Sequence, residues 1–472
     1  MYLGLDLGTS SLKALLVDEG GRALASATGA LDVSHPHPGW SEQDPDAWVR
    51  ACRKAVAGLG RDLSAVRAIG LSGQMHGATL MGDDHRPLRP CMLWNDTRAH
   101  AEAARLDTEE ARRLSGNVVF PGFTAPKALW VAENEPEVWE STALILLPKD
   151  ALRLWLTGEA VSEMSDAAGT AWLDTGARAW SDVLLDTSGA ARLQMPRLVE
   201  GSEASGTLRP EVAQELGLPP GIPVAGGGGD NAAAAIGLGC LREGEGFVSL
   251  GTSGVLLAAR NSYAPEPATA VHTFCHAVPG RWYQMGVILA ATDALNWLAR
   301  LTGRSPADLT AGVPTGEAPG HLLFLPYLSG ERTPHNDAAV RGAFVNLDVA
   351  YGPEDLARAV MEGVAMALRD SLDALRAAGT DLGSVVGTGG GTASEAWTAM
   401  LAGALGIPVE MPEAGETGAA LGAARLAMLA DGAGDEIVSK PPITRAFDPA
   451  HAPAWTDAIA RYRAAYPALR PL

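Results

Sequence analysis

Residues 5–11 read LDLGTSS, and residues 248–254 read VSLGTSG. In each copy a strand-like apolar run ends in a Gly-Thr-Ser turn, and a second apolar run follows. The copies stand about half a chain apart in 472 residues. One repeat at half-length spacing, with the same strand–turn–strand grammar, predicts a duplicated domain and not a solenoid. The first unit reads as a strand over 2–6, a small-residue turn, and a strand over 12–18 (LKALLVD). DEGG (18–21) then turns into a third strand, RALASA. In the second unit GFVSL is the strand and VLLAA the return.

Strand-like and helix-like segments alternate elsewhere. VRAIGLSG reads as a strand, and STALILLPKDALRLWLTG as strand, turn and helix. GIPVAGGGGDNAAAAIGLG reads as strand, glycine turn and helix. A long amphipathic helix is expected from Pro353, a favoured first-turn residue, to Gly379, a favoured residue just past a helix end. The mixture predicts α/β layers. The boundary is expected near Cys240–Gly246, giving domains 1–242 and 243–472.

Composition narrows the function classes. The net charge is −19, with a pI near 4.9. That balance argues against binding to nucleic acid or to an anionic membrane. No apolar run reaches the roughly 18 residues of a membrane span. The chain opens directly on a strand, without a secretory leader, and its four cysteines form no CxxC pair. Both features predict reduced thiols and a cytoplasmic protein. His272, Cys275 and His276 lack a second ligand pair at zinc-finger spacing, and AVHTFCHAV reads as a strand.

A Gly/Thr/Ser turn between two strands brings backbone N–H groups and hydroxyls to one point, which suits a phosphate. The candidates are Gly8, Thr9 and Ser10 in the first turn and Gly251 and Thr252 in the second. No GxxxxGK[ST] motif occurs, so neither turn is a P-loop. Two such turns facing across a cleft would grip a polyphosphate from both sides. Asp6 precedes the first turn where Ser249 precedes the second. A carboxylate beside a polyphosphate needs a divalent cation between them, and Mg²⁺ accepts one carboxylate plus phosphate oxygens and waters. Lys13 is placed to reach back to the phosphates. In AGGGGDNAAAAIG four glycines allow close approach to a ligand, and Asp230 opens an alanine-rich helix. Asp230 reads either as a helix cap or as a base held ionised by the helix N-terminus. Four glycines favour the second reading.

These residues resemble the FGGY carbohydrate kinases over nearly the whole chain. GLDLGTSSLK and SLGTSG resemble the two phosphate motifs, and GGGDNAAAAIG the catalytic-base segment. GTGGGTASEAW (387–397) with ETGAALGAARLA (416–427) resembles the signature at the adenosine site. Further segments resemble the bacterial xylulokinase branch of that family: HPHPGWSEQDPDAW, GLSGQMHGATL, LWNDTR, FTAPKALWV, HTFCHAVPGRWYQMGV and LPYLSGERTPHND. The resemblance implies two actin-like (ribonuclease H-like) domains flanking a deep cleft. It implies ATP with Mg²⁺ as donor and D-xylulose as acceptor. Asp230 would be the base, with Asp6, and Asp230 beside it, toward the metal-nucleotide. Met75, His76 and Asn231 would contact the sugar. Gly390, Gly391 and Ser394 would lie along the adenosine, with Asn296 on the nucleotide side. Tyr283 departs from the His common among bacterial relatives. Rival readings are another acceptor (L-ribulose, gluconate or glycerol) and an actin- or chaperone-like ATPase. The sequence leaves the oligomeric state open, a homodimer being one option.

Overall fold

The computed structural model describes residues 1–413 and 418–469. Glu416 and Thr417 of the C-terminal signature lie outside the described residues.

The expected duplication is visible in two large mixed sheets. The first contains β1 (Tyr2–Leu7), β2 (Ser11–Val17), β3 (Ala23–Ala30), β4 (Ala68–Gly73), β5 (Ala204–Thr207) and β6 (Pro223–Ala225), in the spatial order β5-β6-β4-β1-β2-β3. The second contains β7 (Gly246–Leu250), β8 (Gly254–Arg260), β9 (His272–Cys275), β10 (Trp282–Ile288), β11 (Val385–Thr388), β12 (Val409–Pro412) and β13 (Ile443–Phe447). Its order is β13-β12-β11-β7-β8-β10-β9. Each sheet has a GTS hairpin at its centre, β1–β2 and β7–β8. On one side of the hairpin lie parallel strands, β4 and β6 in one sheet, β11 and β12 in the other. Each then ends in an antiparallel edge strand. The edge strand precedes its neighbour in the first half and follows it in the second. This repeated order is the actin-like architecture that the family resemblance implied.

Eight helices matter here: α1 (Pro45–Gly58), α2 (Thr124–Asn134), α3 (Pro148–Thr157), α4 (Asp230–Gly237), α5 (Thr292–Thr302), α6 (Pro353–Ala377), α7 (Glu395–Leu405) and α8 (Ala419–Ala430). α6 is the expected long helix, with Pro353 in its first turn and Gly379 at φ +82° just past its end. Among the described residues no helix is long and apolar enough to cross a membrane. The four cysteines are free and buried.

α8 lies beyond both sheets' central strands in sequence, yet it packs on the first sheet. A Cβ on Gly4 would stand 2.1 Å from Ala420 O, and one on Gly70 would stand 1.8 Å from Ala423 O. α8 also crosses α4 at backbone contact: a Cβ on Gly422 would stand 1.7 Å from Ala233 O. Real Cβ contacts never come this close, so only glycine fits. Arg425 of α8 donates to the Ile236 and Gly237 carbonyls (2.8 and 3.0 Å), satisfying the buried C-terminal end of α4. The helix that begins at Asp230 is therefore held by α8 along its side and at its end.

Candidate active site

Asp6 is the penultimate residue of β1, directly opposite Lys13 in the hairpin and level with Ser72 of β4. The first turn uses several of its polar groups internally. Gly8 N–H donates to Ser11 O (3.0 Å). The Thr9 hydroxyl accepts from Trp94 Nε1 and donates to Gln74 Oε1 (both 3.1 Å). Gln43 holds the Thr9 carbonyl (2.9 Å), and Leu31 N–H the Ser10 carbonyl (2.9 Å). In a trans peptide the next N–H points opposite to the carbonyl. The N–H groups of Ser10 and Ser11 therefore face away from those braces.

The second turn has the same logic. Gly251 O accepts from Thr292 N–H (2.9 Å) and its hydroxyl (2.8 Å), and Thr252 O accepts from Ala291 N–H (2.8 Å). The N–H groups of Thr252 and Ser253 are turned the other way, and Ser253 lines the cleft cavity. Gly391 is packed against Leu250, just before this turn, whereas Gly390 faces open space. The Ser394 hydroxyl caps α7, accepting from Trp397 N–H (3.3 Å). Asn296 is exposed on α5.

A cavity of about 200 Å³ opens between the halves. It is below the roughly 300–1,000 Å³ of drug-sized pockets, which suits a small ligand. Met75, His76, Trp94, Phe123, Asp230 and Asn231 line it from the first half, and Ser253, His272, Met285 and Arg332 from the second. The structure thus brings Met75, His76, Asp230 and Asn231 to one place.

Asp230 is the first residue of α4; the cap position belongs to Gly229. Its Oδ1 accepts from Asn231 N–H (2.7 Å) and Asn231 Nδ2 (2.8 Å). The sequence suggested a carboxylate held ionised by the helix. Instead its pKa is pushed up to about 7, by burial first and by the charge of Asp6 second. The helix N-terminus is outweighed by burial and by the nearby charge of Asp6. Burial likewise raises Asp6, opposed by Ser72 and Lys13. A carboxylate near pKa 7 is matched to proton abstraction at neutral pH.

His76 has φ +69°, a left-handed conformation that costs a non-glycine residue on the order of 1 kcal/mol. Its Nδ1 lies 2.6 Å from Gly169 O, and its ring stacks on Phe123 at 4.5 Å. A carbonyl only accepts, so Nδ1 carries the proton and Nε2 keeps its lone pair. Burial lowers the pKa to about 3, so the ring is neutral. His76 is thus a fixed hydrogen-bond acceptor. Tyr283 bears on the same wall, with its hydroxyl 3.9 Å from Met75 Sδ.

Three motif segments brace this wall. Asp96 accepts from Ser41 N–H (2.7 Å) and pairs with Arg98, which also pairs with Glu42 and lies 3.5 Å over the Trp40 ring. Buried Lys127 of α2 donates to the Met92 and Leu93 carbonyls (3.1 and 2.9 Å). Together they present Trp94 and Phe123 to the cavity.

Sequence reasoning missed two groups. Ser165 accepts from Gly229 N–H (3.0 Å) and donates to Glu163 (2.9 Å), while Arg153 of α3 donates to Gly226 O. These buried residues anchor the glycine run ahead of Asp230. The second group, His272 and Arg332, sat inside quoted motifs, but nothing in the spacing pointed either at the cavity. His276 points elsewhere, with Nε2 3.0 Å from Cys240 O.

Residues 1–237 match the N-terminal domain, and residues 246–430 the C-terminal domain, of the FGGY family of carbohydrate kinases. A xylulose kinase of Escherichia coli (strain K12) is 49% identical over 436 residues, covering 91% of this chain and 90% of that protein. The crystal structure of a xyloylose kinase from Brucella ovis has 54% identity and a TM-score of 0.97, over 100% of this chain and 99% of that one. A gluconate kinase structure from Lactobacillus acidophilus superposes with a TM-score of 0.92 at 25% identity, covering 99% and 97%. With both family domains, the repeated sheets and the shared cavity in place, the chain belongs to the FGGY carbohydrate kinases.

Proposed function

We propose that the protein transfers the γ-phosphoryl group of ATP to the 5-hydroxyl of D-xylulose, giving D-xylulose 5-phosphate. The observation that carries this reading is the convergence of Met75, His76, Asp230 and Asn231 on one small cavity beside Asp6. The xylulose kinase relatives support the acceptor; the gluconate kinase neighbour warns that the fold alone does not choose it.

Asp230 accepts the proton of the attacking hydroxyl as the phosphoryl group transfers in line. His76 Nε2 accepts from a sugar hydroxyl. The backbone N–H groups of the two turns, with Lys13, hold the phosphates. Gly390, Gly391, Ser394 and Asn296 border the adenosine. Gly8 contributes turn shape, because its N–H is already used. We assign Mg²⁺ to the donor, arriving with ATP. Asp6 and Asp230 repel each other, and no group of three ligating side chains exists among the described residues. An ion that brings its own waters and phosphate oxygens fits that donor set. It supplies charge neutralisation at the phosphates. The domains we propose are 1–242 and 243–472, with α8 of the second docked on the first. The reading places the protein in the cytoplasm.

Coupled ADP release over a panel of ketoses and polyols tests the acceptor. D-xylulose is expected to give the highest kcat/KM; a clearly higher value for glycerol, gluconate or L-ribulose refutes the choice.

The acid limb of the pH profile is a second test. Asp230 acts as base only when ionised, and its pKa is raised to about 7. At subsaturating concentrations of both substrates, kcat/KM should fall about tenfold per pH unit below that value. A profile flat down to pH 5.5 would contradict the role.

A further inference from the structure

We propose that Arg332, from the second half of the chain, binds the C2 carbonyl oxygen of the open-chain ketose and so sets the preference for a ketose over its reduced polyol. The inference rests on the xylulose reading above.

The chemistry of the acceptor requires such a donor. In a 2-ketopentose the 5-hydroxyl is the group that closes the furanose ring on C2. A hydroxyl engaged in the ring cannot attack a phosphate. Transfer to O5 therefore needs the acyclic form, which carries a free carbonyl at C2. A polyol of the same length has a hydroxyl there instead.

The cavity offers one cationic donor among its lining residues, Arg332. On the opposite wall, Asp230 when ionised and neutral His76 serve as acceptors. The guanidinium has only donors to offer. It is buried enough that its pKa falls to about 10. It lies 4.6 Å over the Phe120 ring. Among the described residues no carboxylate lies within ion-pair distance of it: neighbouring Glu331, whose charge acts on it, turns its Oε1 to the N–H groups of Leu289 and Arg332 (3.0 and 2.8 Å).

A chain of hydrogen bonds aims it. The Asn117 amide is fixed by Thr273, donating to its carbonyl (2.9 Å) and accepting from its N–H (3.0 Å). Its Oδ1 faces His272 Nδ1 at 3.3 Å, so Nδ1 carries the proton. His272 is neutral, its pKa lowered by burial first and by Arg332 second. Nε2 is then an acceptor, 3.3 Å from an Arg332 terminal nitrogen. One edge of the guanidinium is thereby occupied, and the remaining N–H groups serve the cavity. Asn117 belongs to the first half and Arg332 to the second, so the chain spans the cleft.

The test compares D-xylulose with xylitol and D-arabinitol as acceptors, for the wild type, Arg332→Met and Arg332→Lys. Melting curves and ATP affinity accompany each variant. Losing one charge-assisted hydrogen bond should lower kcat/KM for D-xylulose about 10- to 100-fold. The polyols should change less than about threefold. Arg332→Lys keeps the charge without the fork and should fall in between; it carries the test if the Met variant does not fold. Equal losses on ketose and polyols would overturn the inference while leaving the xylulose reading intact. A wild type that prefers a polyol would overturn both.

Discussion

Asp230→Asn lowers kcat at saturating D-xylulose and ATP by about 10² or more while the protein stays folded. Asparagine keeps the oxygen that accepts from Asn231 N–H and Nδ2, so the start of α4 is preserved. It cannot take a proton. The melting temperature should rise. A folded pKa of about 7 against an ordinary value of 3.8 means the ionised form is disfavoured in the fold. That penalty is fully present above pH 7 and shrinks as pH falls toward 3.8. The variant's thermal advantage should therefore be larger at pH 8 than at pH 5. Turnover near that of the wild type would remove Asp230 from the mechanism.

The second large effect is expected at Asp6. In the role proposed for it, Asp6→Ala loses turnover by about 10² or more, because charge neutralisation at the transferring phosphate is misplaced. D-xylulose binding without nucleotide should be nearly unchanged. Trp94 lines the cavity and is 40% exposed, so tryptophan fluorescence can follow the titration. Removing Asp6 also removes the second cause of Asp230's raised pKa. The acid limb of the residual activity should move to lower pH. A large loss of sugar affinity in the folded variant, or an unmoved acid limb, would show that Asp6 acts otherwise.

Much of the frame was legible because it depends on local pattern. The Gly-Thr-Ser hairpins and the helix beginning at Asp230 follow from strand alternation and turn residues. The ionisation of Asp230 was not legible, since burial and Asp6 act across the fold and outweigh the local helix. Nor was the aim of Arg332: its partner His272 lies 60 positions away, and Asn117 a further 155 from His272. The turn residues could be picked out as a group, but the partners that brace each one were hidden. Gly8 closes the turn and Ser394 caps a helix, and only three-dimensional partners reveal that.

The crossing of α4 and α8 carries a consequence for how such a site is specified. At Gly4, Gly70 and Gly422 the neighbouring carbonyl occupies the place of a side chain. None of these residues lines the cavity, and none carries a reactive side chain. They nevertheless fix the height and tilt of the helix whose first residue is the proposed base. Part of the blueprint for the reaction is thus written as missing methyl groups, in positions that a search for polar or ionisable residues passes over. In the proposed mechanism, the fidelity of proton transfer is inherited from how closely two backbones are allowed to lie.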